Sequence, residues 1–131
     1  VIVADTSVWI DYVRGVRGPH TDLLDDALLH DRVVTGDLIL TEFLQGFRNE
    51  KDFQEARQLM ECLEYRDFVG KEIALQAAQN FRILRKKGIT IRKTIDVLIA
   101  TFCIENGFEL IHHDHDFDPM EKILGLKVKR A

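Results

Sequence analysis

The sequence predicts an α/β fold: a three-layer α/β/α sandwich around a central, mainly parallel sheet. Three observations carry that expectation, namely four short apolar runs of strand character, helical periodicities between them, and glycines at the junctions. Strands separated by helices pair in parallel through right-handed crossovers, and the helices then cover both faces of the sheet.

The first run, "VIVA" at 1–4, is β-branched and uninterrupted, as a strand buried on both faces requires. A helix follows over 7–14 and a second over 20–30. "RVVT" at 32–35 is the next strand, closed by Gly36. The pattern over 37–48 is helical, and another helix covers 51–63. Gly70 precedes a long helix over 71–87, and Gly88 ends it. Residues 94–106 are apolar nearly all round, which marks a helix packed on several sides. Gly107 separates that helix from the strand "ELIH" at 109–112. A short helix near 119–124, Gly125 and the strand "LKVK" at 126–129 complete the chain.

At 131 residues the chain is expected to be a single domain, 1–131, with enough length to bury about two-thirds of its unfolded surface. Nearly half of the residues are apolar and about a third charged, the balance of a folded soluble protein. No stretch is long and apolar enough to span a bilayer, and "VIVADTSVWID" lacks the basic start of a signal peptide, so a cytoplasmic location is expected. Cys62 and Cys103 lie within helical patterns and form no metal-type pair. A net charge of −4 disfavours indiscriminate coating of nucleic acid but permits a local basic patch.

The chemistry resides in acids that the predicted topology gathers. In an open parallel sheet, ligands bind in the crevice beyond the carboxyl ends of the strands. Asp5 ends the first strand and Asp114 follows the third, so the two are expected to be neighbours. Glu42, in "LILTEFLQGF", falls at the margin of an apolar helix face and is expected to be half-buried. Asp96 lies in the first turn of the helix that starts near Thr94, a candidate N-cap, where backbone N–H groups favour an anion. Taken singly, each acid has an ordinary explanation as a cap or a first-turn residue. Together they are costly, because two carboxylates about 4 Å apart repel by roughly 4 kcal/mol at an effective dielectric near 20. Such a cluster calls for a cation, and oxygen-only ligands suit Mg²⁺ or Mn²⁺ better than Zn²⁺.

The seven residues "HHDHDFD", His112 to Asp118, sharpen the question. His112, His113 and His115 are expected to flank the acids rather than bind the ion, since the carboxylates already satisfy a hard metal.

The blocks "VIVADTSVWIDY", "LTEFLQGF" and "TIDVLIATFCIENGFELIHHDHDF", in that order, resemble a PIN-domain ribonuclease, specifically the toxin of a VapBC-type toxin–antitoxin pair. The resemblance spans nearly the whole chain. It implies an endoribonuclease that uses one or two Mg²⁺ or Mn²⁺ ions, inhibits translation and growth, and leaves 5′-phosphate and 3′-hydroxyl ends. Its acidic site would be Asp5, Glu42, Asp96 and Asp114, with Asp116 as an additional or alternative fourth ligand and Thr6 or Ser7 as the hydroxyl beside the first Asp. Where such toxins often carry "T-x-D-x-D-F", this chain has His112 at the Thr position, which removes a supporting hydroxyl. The resemblance also implies a homodimer and a VapB-like antitoxin laid over the active-site groove. Trp9, Tyr12, Phe43 and Phe47 are aromatic enough to line a groove, although the core is their ordinary place.

RNA must also be held. "RILRKKGITIRK" carries Arg82, Arg85, Lys86, Lys87, Arg92 and Lys93 with no acid, and leads directly into the helix that bears Asp96. A basic rim beside an acidic centre can bind flanking phosphates, while last-turn cations are also ordinary helix ends. Three alternatives compete with the nuclease: a phospho-acceptor receiver module, a phosphohydrolase that uses the His-Asp pairs at 113–114 and 115–116, and a catalytically inert domain of the same fold. A receiver needs an acidic pair after its first strand, whereas here Asp5 is followed by Thr6 and Ser7.

Overall fold

A computed structural model describes residues 1–131. The elements follow in the order β1 (Ile2–Ala4), α1 (Thr6–Val13), α2 (Pro19–His30), β2 (Val33–Gly36), α3 (Asp37–Leu44), α4 (Glu50–Glu61), β3 (Glu64–Arg66), α5 (Lys71–Lys86), α6 (Thr94–Asn106), β4 (Glu109–Ile111), a 3₁₀ turn (His115–Phe117), α7 (Asp118–Leu124) and β5 (Lys127–Val128). The five strands form one sheet in the order β3-β2-β1-β4-β5, and every pairing is parallel. Helices α1 to α4 pack with one another on one side, and α5 to α7 on the other. This is the expected three-layer sandwich.

Buried apolar residues form a single continuous core centred on β1, β2 and β4, with Trp9, Leu24, Ile39 and Phe43 above the sheet and Phe68, Leu84, Ile99 and Phe102 below it. Phe68 stacks on Phe102 at a centroid distance of 3.9 Å, which joins the loop after β3 to α6. Gly36 ends β2 because a side chain there has no room: a Cβ would stand 2.4 Å from the Arg66 carbonyl oxygen and 2.4 Å from the Phe68 ring.

Two features depart from the expectations. The helix expected over 37–48 stops at Leu44, and Asn49 opens α4 by accepting hydrogen bonds from the Lys51 and Asp52 N–H groups at 2.8 and 3.2 Å. Gly46 is a poor helix former just before that cap, so the first of the two expected helices ends about one turn early. Strand β3 was not expected at all. Its three residues, Glu-Tyr-Arg, present no apolar run, and the strand is held at the sheet edge by register with β2 and by Arg32, whose guanidinium makes a bidentate pair with Glu64.

The sheet order reverses direction after β1: β2 and β3 lie on one side of it, β4 and β5 on the other. The crevice at such a reversal, beyond the carboxyl ends of β1 and β4, is where this architecture places ligands.

Candidate functional site

Asp5 sits at that reversal. Its N–H donates to the Ile111 carbonyl at 2.9 Å, one step beyond the β1–β4 ladder, so the ends of the two strands are fastened together where the chemistry lies. Asp5 is 5% exposed, and its Oδ2 accepts the Ser7 hydroxyl at 2.8 Å. Burial raises its pKa above the usual carboxylate range; the Ser7 hydroxyl opposes that rise and the charge of Asp114 adds to it. Thr6, next in the chain, donates its hydroxyl to Glu42 Oε1 at 2.9 Å, which ties the start of α1 to α3. Glu42 is half-buried, as its helical position requires.

Asp96 enters from the first turn of α6 and is 5% exposed. Thr94 is not the N-cap. That position belongs to Lys93, and Thr94 is exposed in the first turn, beside a hollow between α5 and α6 that also includes Val69, Ala77 and Leu98. The boundary moved one residue because Lys93, in extended conformation, already accepts the Asp96 N–H through its carbonyl at 3.1 Å. Burial is the main force on Asp96, followed by the charge of Asp5, and together with Asp114 and Glu42 they raise its pKa to about 7 against the opposing charge of Lys93.

The loop after β4 supplies the remaining acids. Asp96, Asp114 and Asp116 each offer a carboxylate oxygen, and the three oxygens lie within 4.8 Å of one another. Asp5 and Glu42 stand outside that triad but act on Asp96 through their charge. Asp114 Oδ1 accepts the Asp116 N–H at 2.9 Å, an arrangement that folds the loop into the 3₁₀ turn and brings the second acid back beside the first. Asp96 Oδ2 is buried without a hydrogen-bond partner. An unpartnered buried carboxylate oxygen among further carboxylates fits a hard divalent cation, and the all-oxygen donor set fits Mg²⁺ or Mn²⁺.

The three imidazoles of the loop take separate places outside the triad. His112 Nδ1 accepts the Asp114 N–H at 3.2 Å, so a ring nitrogen supports the backbone of Asp114. His113 stacks on His20. His115 is fully exposed and pairs with Asp118 at 2.9 Å. The contact between His113 and His20 had no signal in the sequence, because the two positions lie ninety-three apart in numbering and His20 belongs to no motif.

Of the six expected cations, two face the acids. Arg92 Nη2 reaches Asp116 Oδ2 at 3.8 Å with its side chain 84% exposed, and Lys93 acts on Asp96 as noted. Arg82 and Arg85 border the hollow beside Thr94 instead, with Arg82 bonded to Gln79 and Arg85 over the Phe81 ring. Lys86 and Lys87 are exposed at the end of α5. Among the aromatic candidates for a groove, Trp9 and Phe43 are core residues. Phe43 and Phe47 also border an open hollow between α1 and the α3–α4 pair, with Ile10, Val13 and Leu59. Both cysteines are unpaired, and no helix is long and apolar enough to cross a membrane.

Comparison with known proteins follows the same lines. The PIN domain family matches residues 2–123. The chain is 30% identical over 130 residues to VapC ribonuclease Mb1587 of Mycobacterium bovis, and equally to ribonuclease VapC11 of Mycobacterium tuberculosis, covering 97% of this chain and 96% of each relative. Among solved structures, it superimposes on VapBC2 of Rickettsia felis bound to a promoter DNA fragment with a TM-score of 0.78 at 17% identity, covering 98% of this chain and 96% of that one. VapBC-5 of Mycobacterium tuberculosis gives a TM-score of 0.67 at 24% identity, covering 98% and 97%. The strand reversal, the acids converging on it and a family match over nearly the full length agree: this chain belongs to the PIN-domain family, among its VapC ribonucleases.

Proposed function

We propose that residues 1–131 act as one nuclease domain, a divalent-metal-dependent endoribonuclease that is the toxin of a toxin–antitoxin pair. The observation that carries this reading is the oxygen triad of Asp96, Asp114 and Asp116 within 4.8 Å, with Asp96 Oδ2 buried and unpartnered. Those three residues hold the ion, Mg²⁺ with Mn²⁺ as the alternative, and Asp5 and Glu42 complete the acidic lining or receive a second ion. When bound, a divalent ion screens the carboxylates and supplies the Lewis acidity that phosphodiester hydrolysis needs. The remaining work falls to the chain itself. Ser7 holds Asp5 in place, and Thr6 holds one oxygen of Glu42, which leaves Glu42 Oε2 to accept a proton from the attacking water. Arg92 and Lys93 meet the phosphates that flank the cleaved bond, and their charge offsets part of the repulsion between RNA and the acids.

Solved structures of like fold include VapBC2 of Rickettsia felis and VapBC-5 of Mycobacterium tuberculosis, the latter a member of the VapBC family of toxin–antitoxin systems. By analogy this chain binds a VapB-like antitoxin, with the open hollow between α1 and the α3–α4 pair, lined by both apolar and charged residues, as its seat, and pairs with a second copy of itself. The deciding experiment is incubation of end-labelled RNA with purified protein, with and without Mg²⁺ or Mn²⁺. Wild type cleaves only with the ion, and Asp96→Asn reduces cleavage by at least about 100-fold while keeping the fold. Cleavage that survives both a chelator and Asp96→Asn contradicts the proposal.

A further inference from the structure

His113 is exposed on the loop that carries Asp114, and one face of its ring is covered by His20. The two imidazoles lie parallel, 4.0 Å apart between centroids and 10° between planes. His20 itself is 6% exposed and locked: Asp11 Oδ2, an acceptor, takes the hydrogen of His20 Nε2 at 2.8 Å, which fixes the tautomer and the ring plane. Gly18 leaves the space that ring occupies, since a Cβ there would come within 3.0 Å of His20 Cε1 and 3.1 Å of Nδ1. His20 Nδ1 is buried without a partner. The molecule therefore accepts an unsatisfied ring nitrogen to keep a flat, rigid surface behind an exposed histidine.

Metal binding does not explain the pair. The lone pairs of an imidazole lie in the ring plane, so two parallel rings 4.0 Å apart cannot both aim at one ion. A continuous core does not explain it either, because His113 is exposed. What an exposed aromatic ring of fixed orientation, one residue before a candidate metal ligand, does offer is a stacking face. Single-stranded RNA is held in this way, by bases splayed onto aromatic or histidine rings while cations track the backbone.

We infer that the outer face of His113, backed by the buried ring of His20, stacks one nucleobase of the single-stranded RNA beside the cleaved phosphodiester. This inference rests on the ribonuclease reading and adds a base-binding subsite to it. Asp11 and His20 are positioning residues: they touch no RNA and act by holding the ring of His113. Any base can stack, so the subsite orders the strand without dictating a sequence.

The test is binding in the presence of EDTA, so that no cleavage intervenes. A fluorescein-labelled single-stranded RNA of about 12 nucleotides is titrated with wild type and variants, alongside an abasic oligomer of equal length. Wild type binds the RNA about 10-fold more tightly than the abasic oligomer. His113→Ala loses that difference while leaving the abasic oligomer's affinity unchanged, and His113→Tyr restores it. His20→Leu, which fills the site without a flat ring, falls between them. Equal wild-type affinity for the two oligomers, or His113→Tyr behaving like His113→Ala, overturns the subsite. Neither outcome touches the ribonuclease reading, which stands or falls on cleavage by wild type with divalent ion.

Discussion

Asp96 combines deep burial with the charges of Asp5, Asp114 and Glu42, and its pKa of about 7 has a direct consequence for stability. Between about pH 4 and pH 7 the folded protein without metal retains a proton on Asp96 that the unfolded chain has released. Stability without metal therefore falls as pH rises through that window, and the raised pKa of Asp5 acts in the same direction. A divalent ion reverses the preference because it selects the carboxylate. Its stabilising increment is expected to be small near pH 5 and to grow toward pH 8. Asp96→Asn removes the charge, so without metal the variant exceeds wild type in melting temperature at pH 8 by several degrees, on the order of 1 kcal/mol, and gains little from the ion. Thermal melts across this pH range, with Mg²⁺ and with EDTA, read both effects; a wild-type advantage over Asp96→Asn at pH 8 in EDTA contradicts the assignment. The half-buried position of Glu42 and the first-turn position of Asp96 were legible from helical spacing alone. The cap was not, since Thr94 and Lys93 differ by one residue and the backbone of Lys93 decided it.

At the scale of elements, the loop after β4 shows how one short segment serves several ends. Asp114 caps the 3₁₀ turn, and His112 supports the Asp114 N–H from two residues before it. His112→Asn keeps a short acceptor in reach of that N–H, whereas His112→Leu keeps bulk and loses the acceptor. Calorimetric titration with Mn²⁺ is expected to show a loss of about 10-fold or more for His112→Leu and much less for His112→Asn, the usual scale for groups that orient metal ligands. Equal losses in the two variants would mean that only ring packing against Phe117 matters. The sequence made "HHDHDFD" conspicuous but did not sort its histidines, because their partners, the Asp114 backbone, His20 and Asp118, are set by the turn and by α2. Strand β3 escaped for a related reason. Edge strands need few apolar residues, and "EYR" is held by backbone pairing and by Arg32, neither of which leaves an apolar signature.

For the molecule as a whole, the sheet order brings together acids spread over more than a hundred residues. Strands β1 and β4 lie side by side, Asp5 and Asp114 stand beyond their carboxyl ends, α6 delivers Asp96 from one layer, and Thr6 links Glu42 from the other. The alternation of strands and helices was enough to foresee that convergence, since parallel pairing puts all carboxyl ends on one edge. It was not enough to place the basic residues, because "RILRKKGITIRK" turns a corner at Gly88 and sends Arg92 toward the acids but Arg82 and Arg85 toward the hollow between α5 and α6. Anomalous diffraction from crystals soaked in Mn²⁺ tests the centre most directly. The account predicts a peak bounded by Asp96, Asp114 and Asp116, absent from Asp96→Asn crystals; a manganese site elsewhere on the molecule, or none at these acids, contradicts it.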